Sequence, residues 1–106
     1  MKLEKASASE AKNRENDLFH AILQLKTAGE CSAFFADLCT PVEIEAFRDR
    51  WAVARMLVNK KASYRDIHAK SRVSLATIVR VARFLNGENK GYELVLKRLG
   101  VWKNDK

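Results

Sequence analysis

The sequence predicts an all-α fold of about six helices, and three observations carry that expectation. Apolar residues recur at three- and four-residue spacing along most of the chain. Capping signals open several of these runs: Thr40 and Pro41 with Glu43, Ser63 with Asp66, and Ser74. Two short periodic segments are separated by only Ser71, Arg72 and Val73, a spacing that favours a helix-turn-helix over a simple hairpin of a bundle.

A chain of 106 residues suffices for one domain but buries only about two-thirds of its unfolded surface, so a partner subunit would help. The longest apolar runs fall far short of the ~20 residues of a spanning helix, and the lysine-rich, acid-containing N-terminus lacks the apolar centre of a signal peptide. A soluble, cytoplasmic protein without a membrane partner is expected. Cys31 and Cys39 stand eight residues apart with no histidine at ligand spacing, so the reading is reduced, buried structural thiols, with no metal site and no cofactor. Charge is uneven: Met1 to Asn59 carries eight basic and nine acidic residues, Lys60 to Lys106 twelve and four. Such asymmetry fits a surface that meets a polyanion, or a solvated face that keeps the protein soluble.

Taken in order, residues 1–12 are small, polar and charged and read as a flexible N-terminal arm, followed by a single helical domain over 13–106. From Asn13, Leu18, Ile22 and Leu25, with Phe19 and Ala21, form an apolar stripe that ends at Gly29. A second short helix starts behind Ser32; its Phe34, Phe35 and Leu38 make a patch too wide to stay uncovered. The third helix opens with Thr40 as N-cap and Pro41 at its first position and runs to about Asn59. Its Ile44, Phe47, Trp51, Ala54, Met56, Leu57 and Val58 supply apolar contacts, with Trp51 in the core or at a dimer contact. Residues 63–86 form the helix-turn-helix, ending at Asn86-Gly87. A loop over 88–91 and a last short helix bearing Tyr92, Leu94, Val95 and Leu99 precede Val101, Trp102 and a charged tail.

Turning ~100° per residue from Ser74 places Leu75, Ile78, Val79, Val81, Ala82 and Leu85 on one side of the second helix of the pair. Ala76, Thr77, Arg80, Arg83 and Phe84 take the other. Ile67, Val73, Ile78 and Val81 would clamp the two helices together. Double-stranded DNA asks such a unit for a helix end that enters the major groove, small or polar groups for base edges, and flanking cations for phosphates. Ser74, Leu75, Ala76 and Thr77 are the candidate base contacts, Leu75 and Ala76 against thymine methyls. Arg65, His68, Lys70, Arg72, Arg80 and Arg83 are candidates for phosphate. Tyr64, Arg65 and His68 would meet the backbone, with a solvent-exposed role for His68 equally open. Val79 is expected to pack inward. A residue other than glycine at Arg72, where such turns tend to be left-handed, costs roughly 1 kcal/mol.

The stretch from Cys39 to Leu99 resembles the Trp repressor superfamily. The match is carried by Thr40-Pro41-x-Glu43-x-x-Ala46, by Ser63-x-Arg65 ahead of the turn, and by Ala76-Thr77-Ile78-x-Arg80. The continuation from Arg83 to Leu99 is more similar to the YerC/YecD-type branch of DNA-binding regulators than to the Trp repressor itself. The resemblance implies an intertwined helical homodimer whose two helix-turn-helix heads meet successive major grooves, and a roughly palindromic site.

In the Trp repressor two arginines sandwich the indole of the corepressor; by the resemblance they correspond to Arg50 and Arg80, and a threonine near the ligand corresponds to Thr40. The glycine after the second arginine is Val81 here, and the small serine one turn on is Phe84. Phe84 is expected to fill the space an indole would take, leaving a vestigial pocket and a small-molecule effector other than tryptophan, if any. Arg50 would then pair with Asp49 or Glu45, and Arg80 would stack on Phe84 or meet phosphate.

The leading expectation is a sequence-specific, homodimeric DNA-binding transcriptional regulator that does not depend on tryptophan. The alternative is a helical module for an acidic protein or RNA. An enzyme is not expected: His20 and His68 lie far apart, and no carboxylate pair, nucleophile with its base, or phosphate loop stands out.

Overall fold

Local capping sets the helix boundaries in the computed structural model, which describes residues 6–59 and 62–102. Among them are six helices: α1 (Ala8–Ile22), α2 (Ala28–Leu38), α3 (Pro41–Val58), α4 (Tyr64–Ser71), α5 (Leu75–Leu85) and α6 (Gly91–Arg98). Packing divides the chain into two compact units, one running through Thr40 and one from Pro41. Residues 103–106 of the charged tail and the first five of the arm lie outside the described residues.

The first unit holds α1 and α2, and three of its boundaries differ from the sequence reading. Helix α1 begins at Ala8, inside the expected arm, because Ser7 and Glu10 form a complete capping box. Hydrogen bonding of the Glu10 carboxyl to Ser7, through the Ser7 backbone N–H first and its side chain second, holds it below its ordinary range. Gly29 does not end α1, which stops at Ile22; it lies in the first turn of α2, whose cap is Thr27 rather than Ser32, with Glu30 N–H donating to Thr27 Oγ1 at 3.1 Å. Glycine is cheap there because the first-turn amides are not yet committed to the helix. Neither helix has a buried residue. Phe34 and Phe35 meet edge to face at 5.8 Å, while Phe19 and Leu23 stay exposed. Cys31 is exposed and Cys39 half-buried, so the expectation of buried thiols does not hold in this unit.

In the second unit α3 offers Val53, Ala54 and Val58, against which α4 and α5 pack, and α6 packs on α5. Ile67, Val73, Ile78, Val81, Leu85 and Leu96 complete the core. The four expected clamp residues are thus all buried, and Val53, left out of the expected apolar row of the third helix, is fully so. Trp51 packs against this core and stacks on Tyr92 at 6.4 Å. Helix α6 ends in a Schellman arrangement: Gly100 has φ +76°, its N–H reaches Lys97 O, and Val101 N–H reaches Leu96 O. The reversal returns Val101 and Trp102 to the core.

The turn between α4 and α5 is built from four bonds. Arg72 N–H donates to His68 O at 2.8 Å. Ser71 Oγ donates to Ile67 O at 2.6 Å and accepts from Val73 N–H at 3.1 Å. The His68 ring Nδ1 lies 2.7 Å from Val73 O, and since a carbonyl only accepts, Nδ1 carries the proton. Arg72 itself is left-handed, with φ 64°. A capping box at Ser63 and Asp66 starts α4, and Ser74 Oγ accepts from Thr77 N–H to start α5.

Two stability measurements check this account. Ile78→Ala empties a fully buried site and should lower unfolding free energy by about 2–5 kcal/mol in urea denaturation. Arg72→Gly relieves the left-handed strain and should raise it by about 1 kcal/mol; a midpoint that falls instead would mean the arginine side chain stabilises the turn.

Candidate nucleic-acid interface

The outer face of the helix pair is defined by what the core leaves uncovered. On α5, Ile78, Val81 and Leu85 are buried, and at ~100° per residue the arc opposite them holds Leu75, Ala76, Val79, Arg80 and Arg83. All five are exposed. Leu75 is 50% and Val79 46% exposed, which corrects the expectation that Val79 packs inward and that Leu75 belongs to the core side. The buried arc is centred on Ile78, Val81 and Leu85, so Leu75 falls just outside its edge and Val79 farther round. Thr77 and Phe84, assigned to the outer side, are instead half-buried.

The N-terminal turn of α5 is chemically unusual for a surface. The Ser74 hydroxyl donates to Thr77 Oγ1 at 3.1 Å while accepting the Thr77 amide, so the two hydroxyls engage each other. Next to them Leu75 and Ala76 carry no polar side-chain atom. On α4, Tyr64, Arg65, His68 and Lys70 are exposed, as is Arg72 in the turn. His68 is more than a solvated residue: its ring ties the turn together, leaving Nε2 as the group available to a partner.

Cations surround this face without counter-charges. Asp66 is the sole carboxylate from Ser63 to Asn86, and it is held in the α4 cap by Ser63 N–H. Among the described residues none of Arg65, Lys70, Arg72, Arg80 or Arg83 has a carboxylate partner. A positive surface of this kind, next to a protruding helix end, attracts a polyanion through long-range potential and through exchange of counterions.

The second site expected from the sequence is also present in part. Arg50, Arg80, Val81 and Phe84 line one open cleft of about 400 Å³, together with Asn89, Gly91 and Tyr92; Thr40 belongs to the first unit. Phe84 does not fill this space, as expected from the sequence, but forms part of its wall. Its ring lies beneath the Arg80 guanidinium, 4.6 Å from ring centroid to Cζ, as the one-turn spacing allows. Arg50 does not take Asp49 or Glu45. Arg48 lies within 3.8 Å of Asp49 and 3.7 Å of Glu45 instead. Among the described residues no cluster of three His, Cys, Asp or Glu side chains could hold a metal, and no helix is long and apolar enough to cross a membrane.

Comparison with known proteins places this architecture. The model of the Trp repressor protein family matches residues 14–100. The YerC protein of Bacillus subtilis strain 168, itself uncharacterized, is 45% identical over 84 residues, which are 79% of this chain and 80% of the relative. Among solved structures, a TrpR-like protein from Eubacterium eligens ATCC 27750 is 45% identical and superposes with a TM-score of 0.75, covering 86% of this chain and 91% of that one. A candidate Trp repressor from Staphylococcus aureus is 37% identical with a TM-score of 0.79, covering 91% and 97%. With the family model spanning most of its length and the six-helix order in place, the chain belongs to the Trp repressor protein family.

Proposed function

We propose that this protein is a sequence-specific, DNA-binding transcriptional regulator that acts as a helix-turn-helix homodimer and does not need tryptophan. The observation that carries the reading is the exposed outer face of α5, bordered by Arg65, Lys70, Arg72, Arg80 and Arg83 with no carboxylate in contact. A helix presented in this way fits the major groove end-on, with cations within reach of phosphates on either side. Membership of the Trp repressor family supports the same use of the helix pair.

Support for a homodimer comes from the first unit, where α1 and α2 have no buried residue while Phe19 is 53% and Leu23 76% exposed. Helices whose apolar side chains lie open in this way gain stability by covering one another's faces across a two-fold axis. The reading without tryptophan draws support from the Arg50–Arg80 cleft. The Arg80 guanidinium already lies on the Phe84 ring, and Val81 supplies a side chain on the cleft wall. An indole lying on the Arg80 guanidinium would have to displace the Phe84 ring from it.

A second reading, a helical module for an acidic protein or RNA, draws on the Ser74 hydroxyl, whose proton goes to Thr77 Oγ1 and whose oxygen holds the Thr77 amide, which leaves Ser74 no donor for base readout. The two readings part on sequence preference. Selection from a random duplex pool at near-physiological salt, with excess competitor and with or without L-tryptophan, should enrich a palindrome with half-sites about one helical turn apart. The enriched site should be the same in both conditions. Failure to enrich any sequence, with binding that only falls uniformly with salt, would favour the module. Arg83→Ala should weaken binding to specific and random duplexes alike and reduce the slope of log Kd against log salt by about one per contacting protomer.

A further inference from the structure

We infer that Leu75 and Val79 together form an apolar reader for the 5-methyl group of thymine, which makes methyl contact rather than hydrogen bonding the main source of base preference. This rests on the DNA reading above. The two residues are one helical turn apart on α5, at i and i+4, so their side chains adjoin on its surface. Both are about half exposed although each is a large aliphatic residue that burial would favour. Their position is the entry end of the helix, next to Ala76 and ahead of Arg80 and Arg83.

The chemistry of the surrounding groups narrows the partner. Of the two hydroxyls in this turn, Ser74 gives its proton to Thr77 Oγ1 at 3.1 Å and its oxygen to the Thr77 amide, while Thr77 keeps its own O–H but is half-buried. Ala76 has nothing to donate or accept. The remaining outward side chains are the arginines, of which Arg80 is drawn onto Phe84. Among the described residues the first turn and a half of α5 therefore presents an apolar surface inside a ring of unpaired cations. On a DNA duplex the cations suit the two phosphate rows, and the groove between them offers one apolar group on its base edges, the thymine methyl. An acidic protein with an apolar anchor is the competing occupant.

The test uses the full-length protein and the best duplex from the random-pool selection. Each thymine of a half-site is replaced in turn by deoxyuridine, which removes the methyl and keeps the pairing. Affinity is measured for the unchanged protein, Leu75→Ala and Val79→Ala, with far-UV circular dichroism showing that the exposed-site variants remain folded. Loss of a contacted methyl should weaken the unchanged protein about four-fold. Each variant should bind the thymine duplex several-fold more weakly and should lose its response to deoxyuridine at one position. A specific duplex whose affinity ignores deoxyuridine, or variants that keep the full response, would overturn methyl reading and leave specific DNA binding standing. A pool that yields no preferred duplex would overturn both.

Discussion

The α4–α5 turn is the constraint on which the candidate interface depends. A helix-turn-helix works only if its second helix leaves the first at a fixed angle, and here three residues set that angle. Arg72 adopts a left-handed conformation that L-residues enter at a cost. Ser71 and His68 offset that cost by tying down both polar groups of Val73, the amide through Ser71 Oγ and the carbonyl through the His68 ring. Val73 can then bury its side chain with its backbone fully bonded.

From that turn the rest of the second unit follows. Holding α5 across α3 lets Ile78, Val81 and Leu85 reach Val53, Ala54 and Val58, and the same rotation carries Leu75, Val79 and Arg83 outward. Burial and presentation are opposite consequences of one helix orientation. Helix α6 then packs on α5 with Leu96 in the shared core and Tyr92 on Trp51 of α3, and the Schellman turn at Gly100 brings Trp102 back to the core. Its Glu93–Lys97 pair, 2.8 Å apart and one turn apart on the surface, holds the Glu93 carboxyl below its ordinary range without binding α6 to anything else.

In the cleft of Arg50 and Arg80 one side chain orients another. A small residue one turn after Arg80 would leave the guanidinium free to lie on a planar ligand. Phe84 supplies that plane from within the chain, so Arg80 is oriented without a ligand. Arg50 also lines the cleft, while Arg48, its neighbour but one, lies by Glu45 and Asp49.

Much of this was legible from the sequence by itself, for a physical reason. Caps act over three residues, so Ser63 with Asp66 and Ser74 with Thr77 could be read directly, and the 3.6-residue period identified Ile67, Val73, Ile78 and Val81 as the clamp. Gly29 misled because its meaning depends on which end of a helix it occupies, and the Thr27 cap two residues earlier decided that. Periodicity also gives the centre of an apolar face better than its edges. Whether Leu75 and Val79 lie inside or outside depends on how far α3 and α4 extend over α5, which is a matter of packing between segments distant in sequence. The fate of the cleft was likewise tertiary: the chain determined that Phe84 stands one turn from Arg80, but only the placement of α5 beside α3 and Tyr92 decided that its ring walls an open space and does not fill it.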